Sequence, residues 1–172
     1  MQVLKERKSS REFSSEKLSA QVLSNLLWAA FGVNRPSGHR TAPSANNKQE
    51  IDIYVTSADG LYLYDAKANQ LKQILTEDIR ALTGSQPFVK DAAINLVYVA
   101  DLAKAGRSDP AADLYSGADT GFISQNVYLF CASEGLATVV RASVDRAELA
   151  KAMKLRPDQK IVLAQTVGYP QK

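Results

Sequence analysis

The sequence predicts one α+β domain in which a mixed sheet carries helices on both faces. Three observations lead there. Helical and strand-like runs alternate along the chain instead of segregating into halves. Ile51 to Thr56 and Leu61 to Tyr64 are β-rich runs separated by Ser57-Ala58-Asp59-Gly60, which reads as a hairpin and so supplies an antiparallel pair. Ala93 to Ala100, AINLVYVA, is an almost unbroken apolar run, the pattern of a strand buried on both faces and therefore placed mid-sheet.

Taken in order, Val3 to Arg7 has helical spacing. Leu18 to Phe31 has it more strongly, with Leu18, Val22, Leu26, Leu27 and Ala30 at three- and four-residue steps and Ser19 as the cap. Gly32 to Gln49 loses all periodicity, holds two prolines and two glycines, and reads as a loop longer than a connection requires. After the hairpin and the central strand, Asp113 to Glu134 predicts a central helix whose apolar residues include Leu114, Ala118, Phe122, Val127, Phe130 and Cys131, with Gly135 ending it. Leu136 to Val140 then predicts a strand, Arg146 to Lys154 a helix and Ile161 to Val167 a last strand.

Composition narrows the chemistry. At 172 residues, 45% hydrophobic and 23% charged, the chain has the size and composition of one folded domain. Its net charge of +3 is too small to argue for a nucleic-acid groove, so any basic site is local. The one cysteine, Cys131, excludes an internal disulfide and thiolate metal sites, and the one histidine, His39, removes most metal and triad chemistry; no metal is expected. No Gly-x-Gly occurs, so the dinucleotide fingerprint and the phosphate loop are missing. No apolar run approaches the ~18 residues of a membrane helix. The charged first ten residues lack the apolar core of a secretory signal, so a cytoplasmic location is expected unless a longer precursor is exported.

Three segments can carry chemistry. Arg7-Lys8-Ser9-Ser10-Arg11 puts three cations and two hydroxyls in five residues, enough to satisfy the oxygens of a phosphate monoester; the plain alternative is a solvated basic patch. Thr41 to Gln49 combines Pro43 with small residues and amide side chains suited to a heteroaromatic ring edge; the alternative is a capped turn before the strand at Ile51. Glu134-Gly135-Leu136-Ala137-Thr138 leaves a helix through a glycine with main-chain amides and a hydroxyl nearby; the alternative is a helix stop and nothing more.

In order and spacing these segments resemble the nitroreductase-like flavoprotein family. The family's Arg-x-Ser-x-Arg type opening is matched by Arg7, Ser9 and Arg11. Its Pro-Ser-x-x-Asn loop is matched by Pro43, Ser44 and Asn47, with Gln49 in the usual glutamine position. Its Gln-Asn pair and Gly-Leu-Gly are matched by Gln125, Asn126 and Gly135-Leu136-Ala137. The stretch from Leu26 to Ala45 looks closest to the branch that includes thiazole-forming peptide dehydrogenases.

The resemblance implies a three-layer α-β-α domain spanning residues 1–172, with a mainly antiparallel sheet. It implies non-covalent FMN, with phosphate held by Arg7, Ser9 and Arg11 and Lys8 beside the ring or ribityl chain. It also implies NAD(P)H as donor and an electron-poor small-molecule acceptor such as a nitroaromatic or quinone, reduced in a ping-pong cycle. An intertwined homodimer follows as well, with Pro43, Ser44, Ala45, Asn47 and Gln49 reaching the partner's flavin and no nucleic acid or membrane as partner. Leu136, Ala137 and Thr138 would lie against the flavin, with Thr138 approaching N5 as the residue nearest the chemistry. The alternatives within the resemblance are a dehydrogenase or oxidase of a thiazoline-like ring and a flavin-binding protein without turnover.

Two departures follow. Ala137 replaces a glycine, and the given sequence ends at Lys172, just after the Gly168-Tyr169-Pro170 beyond which many members carry a phosphate-binding basic residue, so either Arg141 is expected to complete the phosphate site or the site is lighter, and the central helix around Phe122 to Phe130 is expected to hold the dimer. His39 and Arg40 are expected near the substrate opening or simply in solvent. Cys131 is expected as inert core, and Trp28 and Phe31 as core or dimer interface.

Overall fold

The computed structural model of the chain describes residues 1–106 and 110–171. Lys172 lies outside the described residues. Helix α1 is Gln2–Glu6 and α2 is Ala20–Phe31, the latter capped by Ser19, whose hydroxyl accepts the Val22 N–H at 3.2 Å. Strands β1 (Ile51–Ser57) and β2 (Gly60–Asp65) form the expected hairpin. Strand β3 (Gln70–Leu75) follows, then β4 (Ile94–Asp101), α3 (Leu102–Ala105), α4 (Pro110–Ser133), β5 (Ala137–Arg141), α5 (Arg146–Ala152) and β6 (Gln159–Gly168).

The six strands form one sheet in the order β3-β2-β1-β4-β6-β5, and every pairing between them is antiparallel. β4 sits in the middle, as its apolar run requires. Successive β4 residues serve two cores. Leu96 and Tyr98 join Ile51, Ile53 and Val55 against Leu26, Leu27 and Phe31 of α2 and Ile123, Val127 and Cys131 of α4. Val97 and Val99 turn the other way and pack with Tyr54 and Ile161 against Leu149 and Met153 at α5. The result is three layers, helices on both faces of one sheet. No helix among the described residues is long and apolar enough to cross a membrane.

Two elements differ from the expectation. β3 lacks a strand-like pattern because it is an edge strand, with Gln70, Lys72 and Gln73 exposed and Leu71, Ile74 and Leu75 only partly buried. In α4 the apolar residues counted as inward split between faces: Leu114 is 69% and Phe122 49% exposed, while Ser116, Asp119, Thr120 and Ser124 are buried with Ile123, Val127 and Cys131. The inner face of this helix is largely polar because it packs on a loop rather than only on the sheet, so apolar spacing could not report it.

Gly60 opens β2 with φ +129°, a backbone state closed to other residues, and an added Cβ would collide with the Leu75 carbonyl oxygen on β3. Gly60→Ala is expected to lower stability by about 1–3 kcal/mol. Gly38→Ala, also at positive φ but with no atom within 4 Å of the added carbon, should lose clearly less. Equal urea midpoints for the two variants would contradict the steric account.

Candidate functional site

α1 stops at Arg7, whose φ and ψ of −54° and 119° turn the chain into an extended strap. The strap lies on the outer edge of β5 and beside the C-terminal residues. The Ser10 N–H donates to the Thr138 carbonyl at 2.9 Å, the Ser14 N–H to the Tyr169 carbonyl at 2.9 Å, and Phe13 pairs with Pro170. In extended chain successive side chains alternate, so Arg7, Ser9 and Arg11 leave one side and Lys8, Ser10 and Glu12 the other.

The first set meets α4. The Ser9 and Tyr128 hydroxyls are 2.8 Å apart, and the Arg7 guanidinium stands 5.1 Å above the Tyr128 ring. The Tyr128 hydroxyl also accepts the Val140 N–H at 3.0 Å, which fixes the tyrosine between strap and strand. Tyr128 had no motif to announce it; the signal was its place one helical turn from Cys131 on the buried side of α4. The second set borders a cleft of about 640 Å³, lined by Lys8, Ser10 and Glu12 together with Leu136, Ala137 and Thr138. Among the described residues no carboxylate pairs with Arg7, Lys8 or Arg11.

The Thr138 hydroxyl is turned into the core. It is 2% exposed, donates to the Thr166 carbonyl at 2.8 Å and accepts from the Gln165 amide at 3.0 Å; Gln165 in turn accepts the Tyr98 hydroxyl at 2.6 Å. Pairing Thr138 with Val167 sends the side chain into the α2 and α4 core. The Thr138 N–H points instead to the outer edge of β5, where the carbonyl of the same residue holds Ser10. Cys131 lies in the same core, and burial pushes its thiol up to about 12, so it is inert.

Arg141 is likewise placed away from the strap. Its guanidinium is enclosed by Thr83, Asn95 and Thr166 on the opposite face of the sheet, and its donors are used there. Enclosed on that face, it does not stand beside Arg7 to complete a phosphate site there.

The loop carries strain. Asn46, Asn47 and Gln49 all have φ between 51° and 53°, three left-handed non-glycine residues within four positions. Such states cost ~1–3 kcal/mol each and persist only where the surroundings fix them. Here the Gln49 N–H donates to the Ser44 hydroxyl at 2.9 Å, the Gln49 amide donates to the Gly38 carbonyl at 3.0 Å and to Asn47 Oδ1 at 2.9 Å, and Arg40 Nε donates to Gln49 Oε1 at 2.9 Å. Arg40 itself rests on the Phe31 ring at 4.4 Å, and burial pulls its pKa down. Gln49 is thus a brace of the loop, with its side-chain oxygen and nitrogen both engaged. Pro43 and Asn47 remain exposed, and His39 is exposed with Ser37 as its partner at 2.8 Å.

α4 anchors this loop through Asp119, whose Oδ2 accepts the Ala45 N–H at 2.9 Å. Asp119 precedes Tyr128 by nine residues, about 14 Å along the helix axis. The first and third segments are therefore brought together, while the loop stands near the middle of the same helix.

Behind the loop lie two carboxyls that no motif announced. Glu50 and Asp119 are each 2% exposed. Glu50 Oε1 accepts the Ser116 hydroxyl at 3.3 Å, and Oε2 has no partner among the described residues. Burial, then the neighbouring Asp119 charge, raises the Glu50 pKa, so the pair favours holding a proton.

The model of the nitroreductase family matches residues 4–169. A nitroreductase homologue of Methanocaldococcus jannaschii is 32% identical over 165 residues, covering 90% of this chain and 83% of its own. The crystal structure of a nitroreductase homologue from Ralstonia eutropha JMP134 superposes with a TM-score of 0.94 at 42% identity, covering 99% of this chain and 82% of that one. The E. coli microcin synthetase McbBCD complex with truncated pro-MccB17 shares the fold at 23% identity and a TM-score of 0.85, covering 97% and 70%.

Two variants check the buried groups. A carboxyl whose folded pKa lies above its unfolded value contributes stability that is present below the unfolded pKa and is lost as pH rises toward the folded one. Glu50→Gln is therefore expected to gain melting temperature over the parent as pH is raised from 4 to 7; a pH-independent difference would refute the raised pKa. Thr138→Val leaves the Gln165 amide and the Thr166 carbonyl short of a partner, so it should cost about 1–3 kcal/mol of stability, read from denaturant unfolding. No loss would mean the hydroxyl is not held inside.

Proposed function

Because the chain belongs to the nitroreductase family, whose members are oxidoreductases of the flavin type, we propose that it is an FMN-dependent NAD(P)H oxidoreductase reducing nitroaromatic, quinone or related electron-poor small molecules in a ping-pong cycle. The observation that carries this reading is the strap: Arg7, Ser9 and Arg11 leave one side of it, two cations around a hydroxyl, with no carboxylate answering them among the described residues.

That donor set fits a phosphate monoester, which offers several acceptors and nearly two negative charges. Arg7 is held by the Tyr128 ring and Ser9 by the Tyr128 hydroxyl, so both are placed before a ligand arrives. Lys8, on the other side of the strap, borders the cleft with Leu136 and Ala137. When bound, the flavin supplies hydride acceptance and donation; the protein supplies position and electrostatics. With the Thr138 hydroxyl bonded inside, the Thr138 N–H at the outer edge of β5 is the donor this residue offers to a ring nitrogen.

The loop of Pro43, Ser44, Ala45 and Asn47 serves the second copy in this reading. It stands about 14 Å along α4 from Tyr128, too far to close over its own strap. The outer faces of α2 and α4 expose Trp28, Leu114 and Phe122, apolar surface of the kind a twofold interface buries. A homodimer in which each strap meets the partner's braced loop satisfies both observations.

The deciding experiment is an absorption spectrum of the purified protein with FMN, before and after anaerobic NADPH or NADH. Flavin bands that bleach with nicotinamide and return with a quinone support the reductase reading. Bands that form and never bleach point to the dehydrogenase or flavin-binding alternatives, and no uptake refutes the assignment. Arg7→Ala should weaken FMN binding by about 1.5–3 kcal/mol, as loss of a charge-assisted bond to phosphate requires; unchanged affinity in a fluorescence titration would remove Arg7 from the site.

A further inference from the structure

Arg141 is a buried cation whose partners are all neutral. It is 8% exposed. Its Nε and Nη2 donate to the Thr166 hydroxyl at 3.2 and 2.8 Å, Nη2 donates to Asn95 Oδ1 at 2.7 Å, and Nη1 donates to the Thr83 carbonyl. Gly84 leaves room for the guanidinium, since a Cβ there would collide with Nη1. No carboxylate is among its partners, so the charge is solvated by protein dipoles and left unneutralised. Burial pulls its pKa down to about 10, and it stays charged at neutral pH.

The position of this charge is tied to the wall of the site. Arg141 follows Thr138 on the same strand by three residues, about 10 Å. Thr166 links the two a second time: its hydroxyl takes the guanidinium, and its carbonyl takes the Thr138 hydroxyl at 2.8 Å. Thr138 in turn holds Ser10 of the strap. Of the strap's own cations, Lys8 and Arg11 are exposed and Arg7 is half-buried on the Tyr128 ring, so solvent screens much of their field.

We propose that Arg141, acting from behind β5, raises the reduction potential of the flavin by favouring its negatively charged reduced form. The inference rests on the FMN reading above. The step it acts on is balanced: a hydride, two electrons and one proton, leaves the neutral reduced nicotinamide, which becomes cationic, and enters the neutral oxidised ring, which takes one negative charge. The same pair and proton then leave as hydride to the acceptor. A fixed cation in a poorly screened interior favours the charged ring without moving. Arg141 is thus a positioning residue for charge, one that touches neither phosphate nor substrate.

The test is the midpoint potential of the FMN-loaded protein, measured by dye equilibration at low and high salt. Arg141→Gln should shift it to a more negative value at both salts, and Arg141→Lys, which keeps the charge, should recover most of the shift. Where Arg141→Gln does not fold, Asn95→Asp sets a carboxylate against the intact guanidinium with little change of shape and should shift the potential the same way. Equal shifts in the Lys and Gln variants would reduce Arg141 to a structural brace and overturn the proposal. An unmoved potential in folded, FMN-saturated Arg141→Gln or Asn95→Asp protein would overturn it too while leaving the FMN reading intact. Failure of the parent protein to take up FMN would overturn both.

Discussion

Strand β5 is the last strand of the sheet, so half of its main-chain groups face away from β6 and must find partners elsewhere. The strap after α1 supplies one, through Ser10 and the Thr138 carbonyl, and Tyr128 of α4 supplies another by accepting the Val140 N–H. Covering this edge is what brings the N-terminal cations to the place where α4 ends and the sheet resumes. Arg7, Ser9 and Tyr128 are neighbours because an open strand edge had to be closed, and the candidate site is built on that closure.

α4 sets the scale of everything else. It presents Tyr128 to the strap near one end and Asp119 to the braced loop near the middle, and a rigid helix holds the two apart by about 14 Å. A single copy therefore has the parts of a site without their juxtaposition. Two copies related by a twofold axis across the exposed faces of α2 and α4 would run their long helices past each other and place each loop toward the other's strap. In the proposed dimer the strained Asn46, Asn47 and Gln49 would have a purpose: a loop that must meet a foreign surface in one shape is better fixed beforehand than ordered on contact.

Much of the fold was legible because its signals are local or two-sided. Ser19 caps α2, Gly135 leaves α4 at φ +68°, and the continuous apolar run of β4 announced a strand that serves two cores. The strap motif was legible as residue types, three cations and two hydroxyls. What could not be read was parity. Whether the Thr138 hydroxyl faces a ligand or the core is settled by its pairing with Val167, and a shift of one residue would reverse it. The same parity puts Arg141 on the far face, where Asn95 and Thr166 await it. Glu50, Asp119 and Tyr128 escaped notice for a related reason: each is a single polar residue whose role is defined by a partner at least nine residues away. β3, exposed and at an edge, has no periodicity for packing to impose.

Several unfavourable features of this molecule lie in the loop, behind it and behind β5. Three left-handed residues sit in the loop, two buried carboxyls crowd behind it, and one unneutralised guanidinium lies behind β5. Each costs stability by itself. The core can bear them because the sheet is covered on both faces: residues such as Phe31, Leu96, Tyr98 and Leu149 are completely buried, each large apolar side chain contributing about 1.5–3 kcal/mol. A fold with one covered face would have half of that reserve. The three-layer arrangement is therefore what permits a charge behind β5 and strain in the loop to be held, where an oxidoreductase has use for fixed charge and a rigid loop, rather than being relaxed away in folding.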